Sequence, residues 1–448
     1  MPDGGNGRPA DNQGAPERSA AGPGAPGRSA AGPAAPAFPS AGFTRFWVGD
    51  AVSAFGTYVT LLALQTLVVL TLHGTAQEVG WLNSVRWLPY LLLGLVVGAL
   101  VDRRRRRPMM VTTDLTQAIL LMSIPLAWAT GVLTLPLLLV IVFCYGTASL
   151  INGAASMSVI PRLVPAGHLQ RAHSRIDGAN AVAQTSGPAL AGLLVKLVGA
   201  PIAVLVDAAT YLFSAAMIAT IRLHESPHVP ARVPNLRREI GEGLGWIYRT
   251  SGLARLAVAT HIWFAANAIV GTVLAPFVLI TLGLSPLEFG IITALGGLGG
   301  FLGAATTSAG GRRLGTGGAI ITAHVASTAG AGAIVVAGLG THDWAAMAVA
   351  GAGVALHGFG IGFGNSHEMS YRQVLTPDAL QARTNTTMRS FNRAVIVAVA
   401  PLAGLLATHV GARPTLIVAA AIFGATAAML AASPFRSVRL QPPVRITG

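Results

Sequence analysis

The sequence predicts an all-α membrane protein with twelve transmembrane helices, arranged as two parallel six-helix repeats around a central cavity. Three observations support this prediction. First, 52% of the 448 residues are hydrophobic and only 10% are charged, whereas soluble domains contain roughly 25% charged residues. Second, mean hydropathy is +0.61, and apolar segments long enough to cross a bilayer recur along the chain. Third, the second half of the chain repeats the pattern of the first.

The first 42 residues are rich in Gly, Pro, Ala and Ser. They contain an imperfect duplicate, APERSAAGP from Ala15 followed by APGRSAAGP from Ala25. This composition is typical of a disordered tail. Because proline and glycine recur every few residues, the tail lacks the uninterrupted apolar core of a signal peptide. We therefore expect a disordered cytoplasmic tail over 1–42, with the first membrane entry at the helix that follows.

Twelve apolar segments follow the tail, each long enough for a span of about 20 to 25 residues. They lie at 46–71, 77–101, 109–130, 134–157, 177–198, 200–221, 254–281, 288–310, 317–339, 344–366, 387–409 and 412–433. The segments predict four further regions of the chain. These are an N-terminal six-helix bundle over 43–221, a cytoplasmic linker over 222–253, a C-terminal six-helix bundle over 254–433, and a cytoplasmic tail over 434–448.

The basic residues predict the orientation. The chain has 30 of them, all arginine except Lys196. In the predicted alternation, 27 lie on one side of the membrane, and the exceptions are Lys196, Arg413 and the intramembrane Arg86. The positive-inside rule places that side in the cytoplasm, so both termini of this multi-pass protein of the cell membrane are expected there. Since topology explains the excess of arginine, no nucleic-acid partner is expected.

A duplication relates the two halves. The segment AGLLVKLVGAPIAVLVDAATYLFSAAMIA from Ala191 aligns without gaps with AGLLATHVGARPTLIVAAAIFGATAAMLA from Ala403, an offset of 212 residues. Upstream, Gly80 corresponds to Gly290 at an offset of 210. An even number of spans per copy gives both copies the same orientation, and such parallel repeats place a substrate path on the axis between them.

The loop between spans 2 and 3 carries a charge pattern. An acidic residue ends the apolar helix and is followed at once by five arginines, at 103–107. Arginines after a span are by themselves a topology signal. With the acidic residue, the run resembles the signature loop of the major facilitator superfamily, which is Gly, three residues, Asp, a basic residue, any residue, Gly and two basic residues. Arg105 stands where that pattern has its second Gly. The matching residues are Gly98, Asp102, Arg103, Arg106 and Arg107.

The resemblance covers about 400 residues and points most strongly to the drug and siderophore exporter branch, which includes macrolide efflux proteins. It implies that Asp102 pairs with or caps a neighbouring helix when a cytoplasmic gate is closed. In span 5, Gly187, Pro188 and Gly192 match part of the motif that marks antiporters of the superfamily, and Ala183 and Ala191 stand where that motif has Gly. These residues allow span 5 to bend at a moving interface, or serve close packing alone.

Four ionisable residues stand out within the predicted spans, where a charge costs about 2.5 to 3.5 kcal/mol on insertion scales. They are Asp50, Arg86, Asp114 and Asp207. Two interpretations are open. Arg86 forms a structural ion pair with one of the acids, or one of the acids binds and releases protons during transport. Asp50 is the first candidate for proton coupling, because span 1 lines the central cavity in the superfamily that the chain resembles. Asp114 is the second candidate or an anchor of span 3, and Asp207 is a third candidate or a structural cap.

Other polar residues within the spans are scattered. His261, His324 and His357 lie in three different spans, so they are expected to pack between helices and no metal site is predicted. Arg389 and Arg393 lie one turn apart at the start of span 11. Two interpretations are open for this pair. Their side chains extend to lipid headgroups, or they contact either Asp102 or a substrate anion.

The function predicted from these features is secondary active transport by alternating access. We expect proton-coupled efflux of a hydrophobic or amphipathic small molecule, such as an antibiotic or a siderophore, by a monomer in the lipid bilayer. The chain has no Gly-Lys-Ser/Thr phosphate loop, so an ion gradient is the expected energy source. The glycine-rich strings 296–303 and 358–364 are read as helix contacts, and neither an enzyme activity nor a cofactor is expected. The alternatives are an importer of a small metabolite and a transporter-like membrane sensor.

Overall fold

The structure, a computed structural model, describes residues 39–223, 236–250, 252–340 and 343–440. The predicted N-terminal tail up to residue 38 and the predicted C-terminal tail from residue 441 lie outside these ranges. The regular secondary structure of the described residues is helical throughout. These residues belong to one compact unit.

The described residues form twelve α-helices joined by short turns. They are α1 Ala41–Thr66, α2 Ala76–Arg103, α3 Arg106–Ala129, α4 Leu135–Leu163, α5 Leu169–Val198, α6 Ala200–Ala219, α7 Leu236–Gly245, α8 Ala254–Pro276, α9 Pro286–Val336, α10 Asp343–Leu375, α11 Asp378–Val410 and α12 Ala412–Ala431. Short π-helical turns at Leu67–Thr71, Trp246–Thr250 and Phe277–Thr281 extend α1, α7 and α8, and 3-10 turns lie at Ala166–His168 and Pro434–Ser437.

Twelve crossings of the membrane follow from these lengths. Ten of the described helices are long and apolar enough to span a bilayer. Helix α2, with 28 residues, is also long enough to cross. Helix α9 has 51 residues, which corresponds to about 77 Å at 1.5 Å per residue, and it is kinked at Gly315, whose φ is 71° and ψ 172°. It therefore crosses twice, and the predicted all-α membrane fold is confirmed.

The duplication is visible in local structure. Thr75 begins α2 and Ser285 begins α9, each in a capping box with the glutamate three residues later. In each box the backbone N–H of the cap donates to the glutamate carboxylate over 2.7 Å, which satisfies amides that the helix leaves unpaired. Gly199 and Gly411 connect the last two helices of each half at φ of 81° and 108°, a backbone region that favours glycine.

The helix ends differ from the predicted spans on one side of the molecule. The sequence predicts that span 10 ends at residue 366 and that span 11 begins at residue 387, whereas α10 continues to Leu375 and α11 begins at Asp378. Hydropathy does not predict these additional turns of α10 and α11 as part of a span, because their residues are polar. These polar turns of α10 and α11 are compatible with a membrane helix because several of their side chains face a cavity between the two halves rather than lipid.

The bundle has two sides, which we name by their turns. The arginine side carries the turns at 104–105, 164–168, 315 and 376–377, and the opposite side carries those at 72–75, 130–134, 199, 282–285 and 411. Within the N-terminal half, α1 packs on α5 and α6, α3 on α4 and α6, and α2 on α4. Within the C-terminal half, α8 packs on α11 and α12, and α9 on α10 and α12. The halves meet through α2 with α11 and through α5 with α9.

The outer surface of the bundle is apolar. Leu126, Leu197 and Leu402 expose between 63% and 69% of their surface, a fraction that would be costly in water but is favourable against lipid. The two glycine-rich strings lie inside the C-terminal half, where a Cβ atom at Gly299 or Gly358 would overlap the backbone of the facing helix. The strings are therefore contacts between α9 and α10, as the sequence predicted.

Part of the predicted linker is a short helix. Helix α7 and the π-helical turn after it lie within residues 222–253, of which 224–235 and 251 are outside the described residues. Glu242 accepts a hydrogen bond from Arg238 Nε over 2.8 Å and forms an ion pair with Arg383 of α11. The hydrogen bond from Arg238, together with the charge of Arg383, holds the pKa of Glu242 below its ordinary value. The link between α7 and α11 thus keeps its charge at mildly acidic pH.

Candidate transport cavity and gates

A cavity of about 640 Å³ lies between the two halves. Its wall comes from α1 and α2 of the N-terminal half and from α8, α10 and α11 of the C-terminal half. It begins near the arginine side, where Arg372 and Asn385 flank the turn between α10 and α11, and extends past the middle of α8 to Gly271. A volume in this range holds a drug-sized molecule.

The cavity wall is polar and basic. It contains one acidic residue, Glu368, and six side-chain amides from glutamine and asparagine. Its basic residues are Arg86, Arg372, Arg389 and Arg393. Apolar side chains, among them Trp87, Phe264 and Ile396, complete the wall. Such a mixture suits an amphipathic ligand rather than a purely apolar one.

On the opposite side, α2 and α11 close the cavity by backbone contact. A Cβ atom at Gly80 would overlap the carbonyl oxygen of Ala400, and one at Gly404 would overlap that of Ala76. A hydrogen bond continues this contact toward the cavity, since Ser84 Oγ donates to the carbonyl oxygen of Val397 over 2.8 Å. We call this contact the α2–α11 seam.

A second contact, the α5–α9 seam, closes the other flank. A Cβ atom at Gly192 would overlap the carbonyl oxygen of Pro286 and lie 3.0 Å from the Cα of Gly290, whose own added Cβ would overlap the carbonyl oxygen of Pro188. Gly80 is equivalent to Gly290 and Gly192 to Gly404 in the duplication, so the seams are related by the pseudo-twofold axis. Both seams lie toward the opposite side, whereas the cavity wall reaches Arg372 and Asn385 near the arginine side.

The structure divides the antiporter-like motif between two contacts. Pro188 and Gly192 lie in the α5–α9 seam. Gly187 instead faces α1, since a Cβ atom there would lie 2.7 Å from the Cβ of Tyr58. Two of the three motif residues are thus positioned at an interface between the halves.

The predicted gating loop joins α2 to α3. Arg103 is in the last turn of α2 and Gly98 one turn earlier, with open space where a side chain would lie. Arg106 is buried at the start of α3, and Arg107 donates to the carbonyl oxygen of Ala219 at the end of α6, where a cation complements the helix dipole. Asp102 is in the last turn of α2, and its side chain lies outside the described residues.

We expect Asp102→Asn to lower transport by about tenfold or more, within the range of coupling energies between conformational states. The exchange keeps the shape of the side chain and removes the charge that the resemblance assigns to the gate. Transport by the purified variant in proteoliposomes measures the effect, and Asp177→Asn, at an exposed acid of α5, is the matched control. Wild-type transport by Asp102→Asn would leave the arginine run as a topology signal alone.

The four intramembrane residues are distributed over three places. Arg86 lines the central cavity and, among the described residues, forms no ion pair with any of the three aspartates. Asp50 lines a separate pocket of about 230 Å³ within the N-terminal half. Asp114 is nearby, with Asn152, another residue of that pocket, donating to its carboxylate over 2.5 Å. The structure therefore brings Asp50 and Asp114 together and leaves Arg86 apart.

Asp207 is fully buried between α1 and α6. Its carboxylate accepts hydrogen bonds from Thr60 Oγ1 over 2.6 Å and from Thr210 Oγ1 over 3.0 Å. Gly56 of α1 leaves the space for it, because a Cβ atom there would overlap the carboxylate. These contacts link α1 to α6. They favour a structural role for Asp207 over a role in proton coupling.

The histidines take separate positions in the C-terminal half. His261 bridges Tyr248 and Asn392, each over 2.6 Å. His357 contacts Asn267 over 3.1 Å, and His324 is buried in α9. Each thus sits between helices, the environment expected of packing residues.

Sequence reasoning missed Glu368 and Arg372. Glu368 accepts a hydrogen bond from Thr260 Oγ1 over 3.2 Å and lines the central cavity. Both residues lie beyond the predicted end of span 10, so hydropathy assigns them to a loop. Their spacing of four residues on a helix that continues past residue 366 is the signal that would have placed them on one face.

The fold and this cavity define a class of protein: a multi-pass membrane carrier in which two parallel repeats enclose a path for a small molecule. The Major Facilitator Superfamily profile matches residues 46–401. The chain belongs to this superfamily of transporters.

Individual relatives agree with that assignment. The chain is 25% identical to macrolide efflux protein A of Streptococcus pyogenes over 227 residues, which is 50% of this chain and 55% of the relative. It is 29% identical to the multidrug efflux pump Tap of Mycobacterium tuberculosis over 222 residues, 46% of this chain and 52% of the relative. The chain thus spans about half the length of the curated relatives it matches.

A solved structure shows the same fold. The nucleoside transporter NupG superposes with a TM-score of 0.71 at 14% identity, covering 87% of this chain and 98% of NupG. At that identity the likeness concerns the architecture of the helices and not the molecule transported.

Proposed function

We propose that this protein is a secondary active exporter that moves a hydrophobic or amphipathic small molecule out of the cell in exchange for protons. The observation that carries the proposal is the cavity between the two repeats, which reaches the arginine side and is closed by two seams on the other. The positive-inside rule assigns the arginine side to the cytoplasm. A monomer in the cell membrane, with both termini cytoplasmic, then offers its cavity to cytoplasmic substrate.

Alternating access supplies the transport step. Substrate enters from the arginine side, that side closes, and the two seams part so that the substrate leaves on the opposite side. The glycine contacts suit this role because close backbone packing forms and separates without rearranging bulky side chains. The gating loop at Asp102 closes the arginine side in this proposal.

Two further observations support export. Both relatives described above carry efflux in their names, and Pro188 and Gly192 of the antiporter-like motif lie in the α5–α9 seam. A proton-binding carboxylate is available in the pocket that contains Asp50, within the half that also carries the gating loop. Antiport requires that protonation of such a group and substrate binding favour different conformations.

Import is the second candidate. The observation that favours it is the polar cavity wall, with its four arginines, one glutamate and six amides, since nutrient carriers need many polar contacts for a soluble metabolite. Export and import differ in the direction of proton movement relative to substrate.

Purified protein in liposomes loaded with a pH-sensitive dye separates the candidates. A macrolide, a peptide antibiotic and an amphipathic carboxylate are each added to one side. We expect at least one of them to drive protons in the direction opposite to its own movement. Movement of substrate and protons in the same direction would replace export by import, and the absence of proton movement with all three compounds would contradict the proposal.

A further inference from the structure

The four arginines of the central cavity outnumber its carboxylates, because the described residues of the wall include one acidic residue, Glu368. Glu368 accepts a hydrogen bond from Thr260, and its charge acts on Arg372. Guanidinium groups cannot lose their charge, and a buried charge without a counterion is costly. Four arginines and one glutamate around one cavity therefore leave an excess of positive charge in its wall.

Arg372 shows a deficit of hydrogen-bond acceptors. Its two terminal nitrogens contact the thioether sulfurs of Met369 and Met388, at 3.0 Å and 3.7 Å, and such sulfurs are weak acceptors. Its Nε is buried and has no hydrogen-bond partner among the described residues. Nearby in the wall, the side-chain oxygen of Asn385 is also buried without one. Among the described residues, the charges that act on Arg372 are the opposite charge of Glu368, four residues earlier on α10, and the like charge of Arg389.

Arg86 and Arg393 form a second part of the cluster. The guanidinium carbon of Arg86 lies 5.3 Å from the ring centroid of Trp87, and that of Arg393 lies 5.6 Å from the same centroid and 4.4 Å from that of Tyr90. Aromatic faces stabilise a cation but leave its charge in place. Arg86 belongs to α2 and Arg393 to α11, so an anion bound between them would contact both halves.

We propose that the cavity binds an organic anion, an amphipathic molecule that carries at least one carboxylate. The inference rests on the proposed function, since it names the class of cargo for the same cavity. Guanidinium groups bind carboxylates through paired, charge-assisted hydrogen bonds. Trp87, Phe264, Met369 and Ile396 provide the apolar part of the wall, and the volume of about 640 Å³ suits a molecule with an aromatic or aliphatic body.

Three probes built on one aromatic frame test the charge preference: 9-anthracenecarboxylate, its methyl ester and 9-anthracenemethylammonium. Binding to the purified protein in a neutral detergent is measured by energy transfer from tryptophan to anthracene. We expect the carboxylate to bind at least about tenfold more tightly than the ester, the range of one charge-assisted contact, and the ammonium to bind most weakly. Equal affinity for the three probes, or tighter binding of the ammonium, would overturn the proposal.

Variants locate the site. Arg372→Gln and Arg389→Gln should each weaken binding of the carboxylate by about tenfold and leave the affinity of the ester within about twofold. Arg436→Gln, at an exposed arginine of the 3-10 turn Pro434–Ser437, is the matched control and should bind like the parent. If both cavity variants bind the carboxylate like the parent, the anion does not bind at these arginines and the proposal fails.

The binding assay is independent of transport. Anion binding without proton exchange in liposomes would contradict the proposed export and leave the anion site standing. Proton exchange driven only by the macrolide, combined with no preference for the carboxylate probe, would support export and exclude organic anions as the class of cargo.

Discussion

Gly192→Leu should reduce transport by about tenfold or more while the protein remains folded. A leucine there would overlap the backbone of Pro286 and crowd Gly290, so the α5–α9 seam could not close as it does now. Forcing extra volume into a packed contact costs about 1 to 3 kcal/mol, and 1.4 kcal/mol changes a conformational equilibrium tenfold. The variant should therefore favour the state in which the opposite side is open. Transport in proteoliposomes and thermal stability in detergent measure the two effects.

Gly178→Leu is the matched control for this seam. Gly178 lies in the same helix, and a side chain there meets open space. The Gly178→Leu variant should therefore transport substrate like the parent protein. Gly404→Leu, at the equivalent position of the α2–α11 seam, should behave like Gly192→Leu because it overlaps the backbone of Ala76. Parental transport by both seam variants would show that the glycine contacts do not form the closed gate.

Asp50→Asn should abolish accumulation driven by a pH gradient and leave downhill exchange of substrate intact. Asparagine has the size of aspartate but cannot exchange a proton at neutral pH, so alternating access continues while its link to the gradient is lost. Asp50 is suited to this role because it lines a polar pocket with Gln117, Asn152 and Asn180. It is thus positioned for contact with water, unlike the fully buried Asp207.

The measurement compares two assays of the same proteoliposomes, one with an imposed pH gradient and one with substrate on both sides. Asp378→Asn, in the first turn of α11 and outside both pockets, is the control and should retain both activities. Full pH-driven accumulation by Asp50→Asn would remove Asp50 from the coupling mechanism. The role would then pass to Asp114, Asp207 or Glu368.

Hydropathy and the internal repeat predicted most of the fold. The offsets of 210 and 212 residues identify Gly80 with Gly290 and Gly192 with Gly404, and the equivalent capping boxes at Thr75 and Ser285 follow the same rule. However, the contacts pair Gly80 with α11 and Gly192 with α9. Sequence equivalence between the two repeats does not determine which helices contact each other, because that depends on how the two halves pack.

The cavity was harder to predict than the fold. Its wall uses one face from each of five helices, and the orientation of each face depends on its packing against neighbours. Arg389 and Arg393 left two interpretations open, and only the packing places them in the cavity wall. Glu368 was missed for a different reason, since polar cavity-facing turns lower local hydropathy and made span 10 look shorter than α10 is.

Cross-linking the α2–α11 seam tests most directly whether the cavity is exposed to its two sides in turn. The backbone N–H of Gln77 donates to Thr408 Oγ1 over 3.2 Å across this seam, so Gln77→Cys and Thr408→Cys, combined in a Cys144→Ser background, should form a disulfide on oxidation. We expect oxidation to reduce transport by about tenfold or more, reduction to restore it, and each single cysteine to be unaffected. A fully cross-linked protein that transports at the parental rate would contradict the account, and so would a pair that cannot be cross-linked.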